Sequence, residues 1–183
     1  MVIPSTEEQS ANWYIRPVHP GEVEVLRAFA EQTFRKAWQE NNAPDAFEDY
    51  CKQAFSTEKL LAEMHAPGAE FYFAWDRDFL AAYLKLNIDR KPDDWDAGKA
   101  LQLERIYVSP EIQSRGLGAW LLQFTEERAR ETAAAWVWLS VWKKAPRSIA
   151  FYQRNGYDIF GVDTFWLGDD PQEDWLMRKR ITK

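Results

Sequence analysis

Hydrophobic positions follow two rhythms along this chain. After an extended entry at Trp13 to Val18, Pro20 and Gly21 punctuate the sequence. Val23, Leu26, Ala30, Phe34 and Ala37 then recur at the spacing that gathers side chains on one helix face. Pro44 with Asp45 opens a second helix. Ser56 caps a third, which Pro67 and Gly68 end, with Lys59 standing where a reciprocal capping box would have Glu. Glu70 to Trp75 and Phe79 to Asn87 are aromatic and alternating, parted by Asp76, Arg77 and Asp78, and predict an antiparallel hairpin. A polar loop from Asp89 to Lys99, with Lys91, Pro92, Asp93, Asp94 and Gly98, leads to a strand at Ala100 to Val108.

From Gly116 onward, Leu117, Trp120, Leu121, Phe124 and Arg128 mark an amphipathic helix, with Glu126, Glu127, Arg130 and Glu131 on its other side. Trp136 to Trp142 is the next strand. Pro146 opens a short helix carrying Ile149, Ala150 and Tyr152, which Asn155 and Gly156 stop. Tyr157 to Val162 and Trp175 to Ile181 close the sheet. No internal repeat, low-complexity tract or linker interrupts this order, so residues 1–183 read as one mixed α/β domain of about seven strands. That length buries a core without staples.

Charge narrows the partners. The 29 acidic and 23 basic residues give a net charge of -6, which repels phosphate backbones and fits cationic small substrates better than nucleic acid. His19 and His65 are the two histidines and Cys51 the single cysteine. Neither a disulfide within the chain nor a transition-metal site of three or four soft ligands is expected, so the mechanism reads as metal-free. Cys51, between Tyr50 and Lys52, reads as a half-buried helix position rather than a nucleophile. Met1 to Ser10 carry two glutamates and no basic, apolar leader pattern, and no apolar run approaches the roughly 20 residues of a membrane span. A cytoplasmic location and no membrane partner are expected. The ten tryptophans leave room for an exposed patch that would join a homodimer.

Candidate chemistry begins at the turn Gln113-Ser114-Arg115-Gly116-Leu117-Gly118 between a strand and a helix. Unpaired N–H groups at a helix start point at an anion, and the helix end adds roughly half a positive charge beside Arg115. A dinucleotide fingerprint would need its third glycine where Leu121 stands, and a triphosphate loop would need Gly-Lys-Ser/Thr, which is absent. On this segment alone a plain tight turn remains open. A second element, Ala150-Phe151-Tyr152-Gln153-Arg154-Asn155-Gly156-Tyr157, follows the next strand.

These two motifs, in this order of strands and helices, resemble the GCN5-related N-acetyltransferase (GNAT) superfamily, with its Q/R-x-x-G-x-G/A motif and its later A-x-x-F-Y or A-x-F-Y before a Gly-aromatic pair. Within it, Leu103 to Val108, Val141-Trp142, Ile149 to Tyr152, and Leu167-Gly168-Asp169-Asp170 running to Asp174 and Met177 resemble the bacterial PaiA-type polyamine N-acetyltransferases. The resemblance implies a single GNAT-like domain, with a mixed, mostly antiparallel sheet flanked by helices and a central parallel pair that splays. It implies acetyl-CoA as cosubstrate and a small primary amine, such as spermidine or spermine, as acceptor. A protein or peptide N-acetyltransferase and a non-catalytic CoA-binding module are the alternatives.

The resemblance further implies that pantetheine pairs with Ile106, Tyr107 and Val108, and that the pyrophosphate sits on the amides of Arg115, Gly116, Leu117, Gly118 and Ala119. Gln113 and Ser114 line the approach. Where the family often has an asparagine on the pantetheine, five residues before the tyrosine, this chain has Arg147. An alkyl amine with a pKa near about 10.4 costs roughly 4.6 kcal/mol to deprotonate at pH 7, so a base is needed. Glu104, acting directly or through water, is the candidate, and Tyr152 is the candidate proton donor to the leaving thiolate. For the acceptor, the early helices and late hairpin offer Phe34, Trp38, Asp45, Glu48, Asp49, Asp169 and Asp170.

Overall fold

A computed structural model describes residues 12–93 and 95–182. The reading of Met1 to Ser10 as lacking a leader, and the placing of Asp94 in a polar loop, fall outside these residues. Seven strands form one sheet: β1 (Trp13–Pro17), β2 (Ala69–Asp76), β3 (Phe79–Ile88), β4 (Ala100–Val108), β5 (Trp136–Trp142), β6 (Asp158–Leu167) and β7 (Asp170–Arg180). Their order is β1-β2-β3-β4-β5-β7-β6, with β4 and β5 parallel and the other neighbours antiparallel. The five helices among the described residues are α1 (Val23–Trp38), α2 (Pro44–Ala54), α3 (Thr57–Met64), α4 (Leu117–Glu131) and α5 (Pro146–Arg154).

This is the mixed, mostly antiparallel sheet that the periodicities and the resemblance predict. Proline at the first position of α2 and α5 forfeits no helical hydrogen bond, and the Ser56 hydroxyl accepts from the Lys59 amide at 3.3 Å to cap α3. The late hairpin is longer than the sequence predicts, because β6 and β7 run on to a tight turn at Gly168, whose φ is +61°.

Each face of the sheet is covered. Leu101, Leu103, Val137, Leu139 and Val141 pack with Leu117, Leu121 and Leu122 of α4, whereas Phe71, Phe73 and Tyr83 pack with Leu26, Ala30 and Phe34 of α1 and Phe47 of α2. Cys51, predicted half-buried, is 1 % exposed in this second layer, and burial pushes its thiol up to about 11, which removes it as a nucleophile. No helix among the described residues is long and apolar enough to cross a membrane.

Two irregularities of β4 set up everything that follows. Its parallel pairing with β5 covers Ala100, Leu101 and Gln102 against Trp136, Val137 and Trp138 and then stops. From Leu103 to Val108 its backbone pairs with β3 on one side only. Second, Lys85 of β3 faces Arg105 but Leu86 faces Leu103, so Glu104 is the extra residue of a β-bulge. The inserted residue shifts the alternation of faces: Leu101 and Leu103 point into the α4 layer before it, and Ile106 and Val108 after it. Arg105 and Tyr107 are thereby turned to the α1–α3 side, where Arg105 meets Glu63 of α3.

Candidate active site

Where β4 and β5 part, a cavity of about 370 Å³ opens. Glu104, Arg105, Ile106 and Tyr107 border it from β4, Ser140 to Trp142 from β5, and Ser148 and Tyr152 from α5. The α1–α2 side contributes Phe34, Trp38, Asn42 and Tyr50, and the late hairpin contributes Phe165, Leu167, Gln172 and Asp174. Glu104 and Tyr152, far apart in sequence, thus share one cavity.

Tyr152 is 8 % exposed, and burial, with a small contribution from Tyr107, pushes its hydroxyl well above the ordinary tyrosine value. At neutral pH it is an uncharged O–H, able to donate without first carrying charge into an apolar site. Short α5 aims it: the Tyr157 amide donates to the Tyr152 carbonyl and closes the helix, and Gly156 takes a φ of +83°.

Glu104 is held rather than free. Lys85 Nζ donates to one carboxylate oxygen at 2.8 Å and Asn87 Nδ2 to the other at 2.5 Å. Lys85, 5 % exposed, also donates to Glu63 at 2.9 Å and lies over the Phe71 ring, while Arg105 donates to Glu63 at 3.1 Å. Burial alone would raise the Glu63 carboxyl; Arg105 and Lys85 outweigh it and hold that group below the ordinary value. A charged network of Glu104, Lys85, Glu63 and Arg105, with Lys59 at its exposed edge 3.5 Å from Glu63, therefore fixes the bulge and the direction of Glu104.

At the other end of the opened edge, Gly116 caps α4 with φ +88°, and Ser114 is also left-handed at φ +67°. Such alternation turns successive N–H groups toward one side, and α4 adds its unpaired first-turn amides. The glycines have separate reasons. A Cβ on Gly116 would touch only Trp13, at 3.8 Å, so its left-handed backbone is what calls for glycine, whereas a Cβ on Gly118 would meet Phe151 of α5 at 3.2 Å. Helix packing accounts for Gly118. Gln113, read as lining the approach, also braces the turn, because its Nε2 donates to the Val108 carbonyl at 3.1 Å. Arg147 is exposed in the first turn of α5.

The acceptor side departs from the sequence reading. Phe34 and Trp38 do reach the cavity, and Trp38 Nε1 donates to the Tyr107 hydroxyl at 3.2 Å. The acids do not. Glu48 pairs with Arg35 at 2.8 Å and borders, with Asp45, a separate surface hollow; Asp49 is exposed 3.7 Å from Lys52; Asp169 and Asp170 occupy the exposed hairpin turn.

The carboxylate that does reach the cavity is Asp174, 8 % exposed on β7. Burial first, and Asp163 directly across on β6 second, push it up to about 6. It holds its proton more tightly in the folded chain than in the unfolded one, so it favours the fold below about pH 4 and that advantage is lost as pH rises through about 6. Asp174→Asn is accordingly expected to melt higher than the parent at pH 7, with the difference shrinking toward pH 4. Thermal melts of both proteins across that range check this, and a pH-independent difference would contradict it.

An open parallel pair, with amides converging at one end and a carboxylate and a phenol at the other, is the architecture of an acyltransferase that lays its donor along the gap. Comparison with known proteins gives the family. The Acetyltransferase (GNAT) family model matches residues 24–157, and the chain belongs to that family. It is an N-acetyltransferase of the GNAT type, with acetyl-CoA as cosubstrate. An uncharacterized N-acetyltransferase from the pepI 3' region of Lactobacillus delbrueckii subsp. lactis is 34% identical over 154 residues, 84% of this chain and 89% of that one. The PaiA N-acetyltransferase of Thermoplasma acidophilum, solved with coenzyme A, shares the fold at a TM-score of 0.74 and 21% identity, covering 92% of this chain and 99% of that one. The ribosomal-protein-S18-alanine N-acetyltransferase of Escherichia coli does so at 0.66 and 17%, covering 93% and 95%.

Proposed function

We propose that this enzyme acetylates a small primary amine in the cytoplasm, with polyamines of the spermidine and spermine kind as the acceptor class. The observation that carries the reading is the meeting of Glu104 and Tyr152 in one cavity at the gap between β4 and β5. The cavity lies in the size range of small-molecule sites, and its aromatic walls suit an alkylammonium better than an anion.

In this reading the pantetheine arm of acetyl-CoA runs along the unpaired edge of β4 at Ile106, Tyr107 and Val108. Its pyrophosphate rests on the amides of Arg115 through Ala119, with Gln113 and Ser114 beside it. The amine loses a proton through water to Glu104, whose oxygens already receive Lys85 and Asn87. The neutral nitrogen attacks the thioester carbonyl, the C–N bond forms, and the C–S bond breaks as the Tyr152 hydroxyl protonates the departing sulfur, while the surplus proton on nitrogen leaves through water and restores the tyrosine.

Release of coenzyme A thiol and the mass of the acetylated product, measured over a panel of polyamines, amino acids, aminoglycosides and N-terminal peptides, test the reading. Polyamines untouched while another amine turns over would discard the acceptor class and keep the chemistry. The cradle has its own test. Gly116→Ala forces a side chain into left-handed backbone at about 1–2 kcal/mol, and should weaken acetyl-CoA binding about tenfold in calorimetry. Unchanged affinity would move the pyrophosphate elsewhere.

A further inference from the structure

Asp174 is a buried carboxylate without a partner. None of the described residues donates a hydrogen bond or forms an ion pair with it, although cations engage its neighbours: Lys143 pairs with Glu173 at 3.2 Å and lies over Trp175, and Lys144 lies over Trp142. Its direct neighbours across the sheet sharpen the imbalance. Asp163 faces it from β6, a like charge in the closest cross-strand position, and Trp142 faces it from β5. Tyr107 of β4 is near enough to feel its charge, and from the helical side Trp38 packs edge-on against Trp142 with ring centroids 5.8 Å apart. Gln172 does not serve it, since its amide donates to Asn42 at 2.6 Å and to Asp170 at 3.0 Å.

A carboxylate taken out of water beside another carboxylate is costly unless a cation meets it. Trp142 stands across the sheet from it, and Trp38, packed edge-on against that ring, lines the same cavity; such aromatic surroundings favour a desolvated ammonium. The remaining charged side chains at the cavity, Glu104 and Arg105, are engaged with Lys85 and Glu63. One unfilled demand for positive charge is left, and it lies on β7, separated from β4 by the width of β5 and the gap.

We propose that Asp174, flanked by Trp142 and Trp38, docks a second ammonium of the acceptor, remote from the nitrogen that is acetylated, so that the enzyme selects diamines and longer polyamines over monoamines. This rests on the acetyl-transfer reading above and adds to it a specificity residue and a spacing requirement. Asp163, at the exposed rim opposite, adds negative field along the path by which a dication enters.

The test uses two acceptors with the same reacting end, 1,5-diaminopentane and pentylamine, at pH 7.5, with coenzyme A release and acetylated product as readouts. The intact enzyme should show kcat/KM at least about tenfold higher for the diamine, as expected for one charged hydrogen bond in a desolvated site. Asp174→Asn should erase that preference by raising the diamine KM at least about tenfold, while the pentylamine KM moves far less. Equal use of the two amines by the intact enzyme overturns the proposal without any variant, and so does a substitution that lowers turnover of both alike, which would place Asp174 at the reacting nitrogen. If neither amine is acetylated while another is, the second-ammonium site is wrong and acetyl transfer stands. If no amine releases coenzyme A, the transfer reading itself fails.

Discussion

Tyr152→Phe is expected to lower turnover about a hundredfold or more, with acetyl-CoA affinity changed less than about twofold. The substitution removes one oxygen from a side chain that is 8 % exposed, leaving the ring where α5 packs it against Phe151 and Tyr157. What is lost is an interaction that strengthens as sulfur gains negative charge, so the effect belongs in kcat rather than in cosubstrate binding. Steady-state kinetics with a saturating amine, paired with calorimetry of acetyl-CoA binding, separates the two. A variant with parental turnover would take Tyr152 out of the reaction, and one with parental chemistry but weakened binding would make it a packing residue.

The second large effect concerns stability. Glu63→Ala is expected to cost about 3 kcal/mol, because it strips the shared partner from Lys85 and Arg105, two cations whose side chains are 7 % and 15 % exposed. For a domain of this length that corresponds to a melting temperature lower by roughly 6–12 °C. Urea unfolding with an unchanged slope would assign the loss to the native state. A shift below about 2 °C would mean that Glu104, already bonded to Lys85 and 3.4 Å from Arg105, can carry both cations alone. The outcome bears on catalysis too, since this network aims Glu104 into the cavity.

Local patterns announced themselves in the sequence and long-range ones did not. The alternation of Phe79 to Asn87 and the helical recurrence from Leu117 to Arg128 are properties of consecutive residues, and the structure keeps them. The Gln113 to Gly118 turn was legible for a similar reason: a helix start after a strand advertises its free amides wherever it occurs. The bulge at Glu104 was not legible, because it exists in the register between β4 and β3, and Leu103-Glu104-Arg105 reads as ordinary alternation until Lys85 and Leu86 are placed opposite. Asp174 was hidden likewise. It sits in Asp170 to Asp174, a stretch with three acids, and position along the chain cannot tell which carboxylate a hairpin turns inward; Asp45, Glu48 and Asp49 were equal contenders until α2 turned them outward.

The brevity of contact between β4 and β5 has a mechanical consequence. Two subsheets, one of four strands and one of three, meet through only three residue pairs, and the rest of that seam is open backbone. A donor lying in the seam would act as an added rung, tying the late hairpin to the half that carries the helix start at Gly116. Loading the donor would then stiffen the seam before the acceptor arrives, and an ordered sequence of binding would follow from the shape of the sheet alone.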